Sequence, residues 1–377
     1  ELPQGSTEEL PQGSTEELPQ GSTEELSLER FIAEVQAVNP TLEAMYAAWQ
    51  TASARYPQAI SLDDPIFGAT FAPASFGSRD VESAFALEAS QKIPWHGKRA
   101  LRGVAASWAA QSASRDIETT RQKLAEVSEL AFWDYYVTHR QLELNEQNNN
   151  ILNAFRENAV SRYEGNLVTQ QDVLQADVEL ANLEQRRIEL ERVDRVASGR
   201  MNVLMRRKPN DHLAPPPKVL VRNIELPDVD ELLALAIEQR PDIAALVARA
   251  RAEQAKVSLA RKQYYPDAEF FGRYDRFWQP TSIQGALQGQ VGARINVPIY
   301  RDRLNAAVSE AMHQLAKVRA EHDQLVLDVQ SEVQTSFEQF RESQRTVALY
   351  NEKLVPIAEQ NVEVARSNYD TSKITFL

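Results

Sequence analysis

Four short landmarks occur twice along this 377-residue chain, in the same order and at almost the same distance. The first set is "NPTLEA" (39–44), "ARYPQA" (54–59), "QKIPWHGKR" (91–99) and "RYEGNLVTQQDVL" (162–174). The second is "RPDIAA" (240–245), "QYYPDA" (263–268), "RINVPIYRDR" (294–303) and "NYDTSKITFL" (368–377). Pro40 and Pro241, Pro57 and Pro266, Pro94 and Pro298, and Tyr163 and Tyr369 lie 201, 209, 204 and 206 residues apart. A repeat of that length is a duplicated structural unit, so what one copy folds into constrains the other.

Each copy reads as a short helix, a strand pair, a very long helix and a turn. Residues 95–208 contain no proline and are rich in Ala, Glu, Gln, Leu and Arg, all strong helix formers. In the second copy Val308, Ala311, Leu315, Val318, His322, Leu325 and Val329 alternate spacings of three and four, a coiled-coil seam interrupted only by His322. An ordinary helical bundle carries the same seam, and periodicity alone leaves both open.

The strands discriminate better. Between Gly285 and Ile299 the odd positions include Leu287, Val291, Ala293, Ile295, Val297 and Ile299, whereas Gln288, Gln290, Arg294 and Asn296 fall on even ones. That alternation predicts a strand with one oily and one wet face. Residues 81–93 repeat it more weakly, and partner strands precede each, around 66–76 and 268–278. Four strands cannot close a barrel, and an open sheet leaves unpaired edges. Either something covers the sheet or several chains pool their strands into a closed barrel.

The helix lengths fit a tube wall. A helix from about Lys98 to Arg162 spans roughly 95 Å, the returning one from Val168 to Arg207 roughly 60 Å, and Pro40–Tyr56 roughly 25 Å. Two short helices laid end to end would therefore match one long one.

The expected organisation is an acidic low-complexity tether over residues 1–26, three copies of ELPQGSTE plus two residues, then a first repeat over 27–208. The latter has strands within about 66–93 and a helical tip near 163–168. A proline-rich connector follows over 209–240, and a second repeat over 241–377 has strands within about 268–299 and a tip near 369–374. The first repeat runs some forty residues past its tip, so the final helix of the second is expected beyond Leu377.

Composition narrows the partners. The formal charge is -13, of which seven glutamates lie in residues 1–26, leaving -6 and no basic face for nucleic acid. There is no cysteine, hence neither disulfide nor thiolate chemistry. No apolar run approaches the roughly 18 residues of a membrane-spanning helix, but transmembrane strands escape such scans. The polar, acidic first residues do not read as a signal peptide, so a mature or truncated chain is expected, with the export route open. The five histidines show no i,i+3 or i,i+4 pair, so no metal site is expected. Met201 and Met205 stand one turn apart, a spacing that suits soft copper, though core packing is the commoner meaning. There is no P-loop, no nucleophile–base constellation and no cofactor motif; the chain reads as no enzyme. Trp95 and Trp278 sit near strand ends, as interfacial aromatics of membrane barrels do, and burial explains them equally.

These landmarks resemble the TolC family of outer-membrane efflux proteins, over about residues 27–377. "SLERFIAEVQAVNPTLEA" looks like the family's opening helix, and "LLALAIEQRPDIAALVARARAEQAKVSLARKQYYPDAEFFGRY" like the start of its second repeat. "LDDPIFG" followed by "QKIPWHGKR" is similar to the cation-efflux, CzcC-like branch, with His96 where a second proline is usual. The resemblance implies a mainly α fold with a small β part. A homotrimer would form a twelve-stranded barrel among outer-membrane lipid, continued by a periplasmic α-helical barrel. Its implied partners are a periplasmic adaptor (membrane fusion) protein and an inner-membrane pump of the resistance-nodulation-division type. The implied activity is passive export of metal cations or small toxic molecules.

The echoed stretches then correspond to helix–turn–helix tips that close the periplasmic mouth and meet the adaptor: Tyr163, Gly165, Asn166, Leu167 and Val168 at one, Ser372 and Ile374 at the other. A glycine is usual at each turn, whereas here Asn166 follows Gly165 and Ser372 occupies the second. The family's gate bonds map onto Asp172 and Tyr369, with Lys373 near a basic position of that network. A soluble coiled-coil scaffold or periplasmic adaptor shares the helical hairpins and is the competing reading; it would lack the oily-and-wet strand.

Overall fold

A computed structural model describes residues 25–73, 84–218, 226–277 and 287–370. The described residues divide into two compact units, one within Ser128–Arg222 and up to Val35, the other within Gln36–Val127 and from Asn223 onward.

In the first unit, helix α1 (Leu28–Val38) buries Leu28, Phe31 and Val35, spaced three and four apart so that they share one face. Phe31 meets Phe132 of the long helix α3 (Lys98–Glu164) at 6.5 Å between ring centres, and both rings are fully buried. Helix α4 (Gln170–Leu204) returns with Leu190, Ala197 and Met201 buried. Met201 and Met205 are thus core side chains. The end of α4 is a Schellman turn: Arg206 takes φ +60°, its N–H meets the Val203 carbonyl, and the Arg207 N–H reaches back to the Asn202 carbonyl at 2.8 Å.

The proline-rich strap after α4 supplies acceptors because its prolines cannot donate. The carbonyl of Pro215 receives the Leu26 N–H, that of Pro217 receives Arg140, and that of Ala214 receives the Tyr135 hydroxyl. Asn202, wholly buried, donates to the carbonyls of Pro209 and Asp211.

In the second unit, helices α2 (Pro40–Ile60) and α6 (Pro241–Lys262) both start on a proline at N1, where the missing N–H costs nothing. Their caps have diverged: Asn39 accepts from the Thr41 N–H, whereas Arg240 makes no side-chain cap and pairs with Asp242 and Glu332. Helix α5 (Val229–Gln239) precedes α6. Helix α7 (Arg301–Leu349) packs on α6 and α5 along the expected seam, with Leu304, Leu315, Val318 and Val329 buried and Val308, Ala311, His322 and Leu325 half-buried. Opposite it α6 buries Ala245, Ala248, Ala252 and Ala255, small side chains that let the helices approach closely.

Beyond α7 the helix widens into a π-turn over Tyr350–Leu354 before α8 (Val355–Asp370). Pro356 explains it: the ring removes an N–H and collides with the carbonyl four residues back, and one wider turn relieves both. The Val355 N–H accordingly bonds the Tyr350 carbonyl, five residues back.

The sheet has four antiparallel strands in sequence order, β1 (Ile66–Phe71), β2 (Phe85–Ile93), β3 (Ala268–Arg276) and β4 (Leu287–Ile295). Each repeat contributes one hairpin, and β2 pairs with β3 across the duplication, Leu87 opposite Tyr274. The fourth strand stops at Ile295 rather than running to Ile299, because Asn296 turns its side chain onto the Asp267 N–H and Pro298 has no donor for a ladder. Expected strand residues 74–83 and 278–286 lie outside the described residues, Trp278 among them.

Candidate functional site

The register sorts side chains onto two faces. Phe67, Ala89, Gly272 and Val291 form one cross-strand row; Ala69, Leu87, Tyr274 and Gly289 form the next. This face is oily yet bare: Phe67 is 78% and Val291 92% exposed. The other face carries Glu88, Arg273 and Gln290 in one row and Lys92, Glu269 and Arg294 in another. Arg294 binds Glu88 at 2.9 Å and approaches Glu269 at 3.8 Å, and Arg273 grips Asp275 at 3.0 Å. A bare apolar face backed by an ion-paired one suits hydrocarbon on one side and water on the other. Among the described residues the outer edges of β1 and β4 have no strand partner.

Where β2 turns into α3, Gly97 takes φ +85°, a left-handed conformation that glycine adopts without strain. The turn puts the Trp95 N–H 2.8 Å and the Lys98 ammonium 2.7 Å from one oxygen of Asp267. Lys98 is almost fully buried and also donates to the Tyr265 carbonyl at 2.9 Å. Trp95 stacks on Tyr265 with ring centres 5.6 Å apart. The backbone of Asp267 exchanges bonds with Asn296 at the turn that follows β4. Burial alone would push the Asp267 carboxyl up, but the Lys98 ammonium and the Trp95 N–H hold it below the usual carboxylate range. Asp267 thus joins both strand-to-helix turns. Sequence reasoning passed over this pair, although both residues stand inside repeated landmarks. His96, the departure from the usual motif, is exposed and constrains nothing here.

At the helix tip, α3 ends in a second Schellman turn. The Asn166 N–H meets the Tyr163 carbonyl at 2.9 Å and the Leu167 N–H reaches the Arg162 carbonyl at 2.8 Å. The left-handed residue is Asn166, at φ +57°, and not Gly165. A Cβ on Gly165 would make only ordinary contacts, nearest 3.5 Å from the Arg162 carbonyl. Tyr163 and Leu167 are exposed and Val168 half-buried. Asp172, in the first turn of α4, is 4% exposed, and one of its oxygens has no partner. Tyr369 falls in the last turn of α8; its side chain, and Ser372, Lys373 and Ile374 entirely, lie outside the described residues. The side chains expected to partner Asp172 in the gate therefore lie outside the described residues.

No helix of the described chain is long and apolar enough to cross a membrane, which leaves a strand barrel untouched. Among the described residues no three metal-ligating side chains gather.

Residues 232–375 match the outer membrane efflux protein family. Among curated proteins none matches the chain. Solved structures share the fold. The outer-membrane channel OprN superposes with a TM-score of 0.75 at 20% identity, covering 93% of this chain and 81% of its own. The outer membrane protein VceC from Vibrio cholerae gives 0.74 at 20% identity, covering 91% and 86%. CusC, described for its transmembrane channel formation, gives 0.75 at 14% identity, covering 93% and 83%. The outer membrane efflux protein family thus matches the stretch from 232 to 375, and the fold of these channels extends over nearly the whole length of this chain.

Proposed function

We propose that the chain is the exit duct of a tripartite efflux system. Three copies would pool their four-stranded sheets into a twelve-stranded barrel in outer-membrane lipid, each β1 edge pairing with a neighbour's β4. The periplasmic helices would receive cargo from an inner-membrane pump of the resistance-nodulation-division type through an adaptor. What carries this reading is the sheet: an exposed oily face, an ion-paired face and two open edges on one chain. A soluble scaffold or adaptor has no use for bare phenylalanine and valine in that arrangement.

The cargo we infer is metal cations or small toxic molecules, on the similarity of "QKIPWHGKR" to the cation-efflux branch. Asp172, Tyr369 and Lys373 would form the periplasmic gate, and Tyr163, Gly165, Asn166, Leu167, Val168, Ser372 and Ile374 the tips that dock the adaptor. Asp172 supports this as a buried carboxylate oxygen without a partner in the lone chain.

Reconstituted in planar bilayers, the full-length protein is expected to conduct ions weakly. Tyr369→Phe with Asp172→Ala should raise the closed-state conductance. A folded, membrane-inserted protein that stays silent would defeat the duct reading, and unchanged leak in the double variant would defeat the gate assignment alone.

A further inference from the structure

The wet face of the sheet is balanced in charge. Its described positions carry three acids, Glu88, Glu269 and Asp275, and three bases, Lys92, Arg273 and Arg294. Such a face is not what a cation filter needs, since a ring of uncompensated carboxylates would serve that end.

The balance depends on one side chain that meets both an aromatic ring and two carboxylates. Gly292 leaves room for the ring of Phe271, opposite it in the ladder; a Cβ there would stand 2.6 Å from the ring's Cζ. The ring in turn is the platform on which the Arg294 guanidinium lies, 4.2 Å from the ring centre. From that seat Arg294 reaches two strands across to Glu88 while staying beside Glu269. It answers two carboxylates at once, and its loss would leave three acids against two bases on the described wet face.

We propose that Arg294, seated on Phe271 between Glu88 and Glu269, keeps the strand-lined lumen close to neutral, so that this part of the duct does not select cations over anions. The inference rests on the duct reading above and deepens it: discrimination of cargo falls to the pump or to the helical portion, and the barrel passes either sign.

The absence of cysteine allows a local test. Gln290→Cys, on the wet face in the row of Glu88, can be reacted in membranes with a cationic and an anionic thiosulfonate. Low salt suits it, since near 10 mM the screening length is about 30 Å. Corrected for intrinsic reactivity, the two rates should agree within about twofold in the otherwise unchanged protein. Adding Arg294→Gln should shift the ratio roughly fourfold toward the cationic reagent, the size expected of one charge about 10 Å away acting oppositely on the two. Arg294→Lys should stay near the parent, and Glu88→Gln should move the ratio the other way, which covers the case in which Arg294→Gln fails to assemble. A parent ratio already about tenfold to one side, or Arg294 and Glu88 variants that leave it unmoved, would overturn the proposal. A thiol that reacts with neither reagent until the protein is unfolded would instead remove the lumen itself, and with it the duct reading.

Discussion

Two carboxylates show how burial and partners decide opposite outcomes. Asp194, half-buried on α4 with one oxygen unpartnered, is pushed up by burial against the weaker pull of His139 and Arg195. Asp267 is held down because Lys98 and the Trp95 N–H more than offset its burial. A lowered carboxyl stabilises the fold above its unfolded value and loses that contribution as pH falls through the folded one. Lys98→Met strands Asp267 in a site where its side chain is only 11% exposed, and should cost about 3 kcal/mol at pH 7. The gap between parent and variant in denaturant midpoint should shrink progressively as the pH falls below about 4 toward the parent's lowered folded value, beneath which the acid is neutral in both. An equal gap at pH 7 and pH 3 would mean that Lys98 acts by packing alone.

At the scale of elements, the duplicated helices are not equivalent. Helix α3 runs unbroken for 67 residues, whereas its counterpart breaks into α7, a π-turn and α8 around Pro356. Pro356→Ala should restore a regular helix and raise stability by about 1–3 kcal/mol, read as a higher thermal midpoint and loss of the π-turn in a solved structure. A variant that keeps the wide turn would show that the surrounding chain, and not the ring, imposes it. The seam of α7 was legible because Leu315, Val318 and Val329 obey the helical period, and the strands because Val291 and Gln290 alternate. The ends were less so. The period says nothing of Asn296 bonding across to Asp267, which stops β4 at Ile295. Nor does the order Gly165–Asn166 say which residue turns left-handed; the helix length decides that, by placing Asn166 one past the cap. The Lys98–Asp267 pair was invisible for a similar reason, since 169 residues separate its members.

For the whole molecule, the two faces of the sheet make unequal demands on substitution. Val291→Arg puts a charge on the oily face and should cost about 2–4 kcal/mol in lipid, seen as loss of protein from the outer-membrane fraction. Gln290→Arg, one residue away on the wet face, should assemble normally. Equal tolerance of both would contradict the assignment of faces. Asp267 carries a last implication. Its carboxylate and its backbone serve joints in both copies of the ancestral unit, with the acid contributed by the second and the lysine by the first. The halves have therefore ceased to be interchangeable. Gene fission at the strap would leave the ammonium in one fragment and its acid in the other, and neither strand-to-helix joint could close until the two reunited.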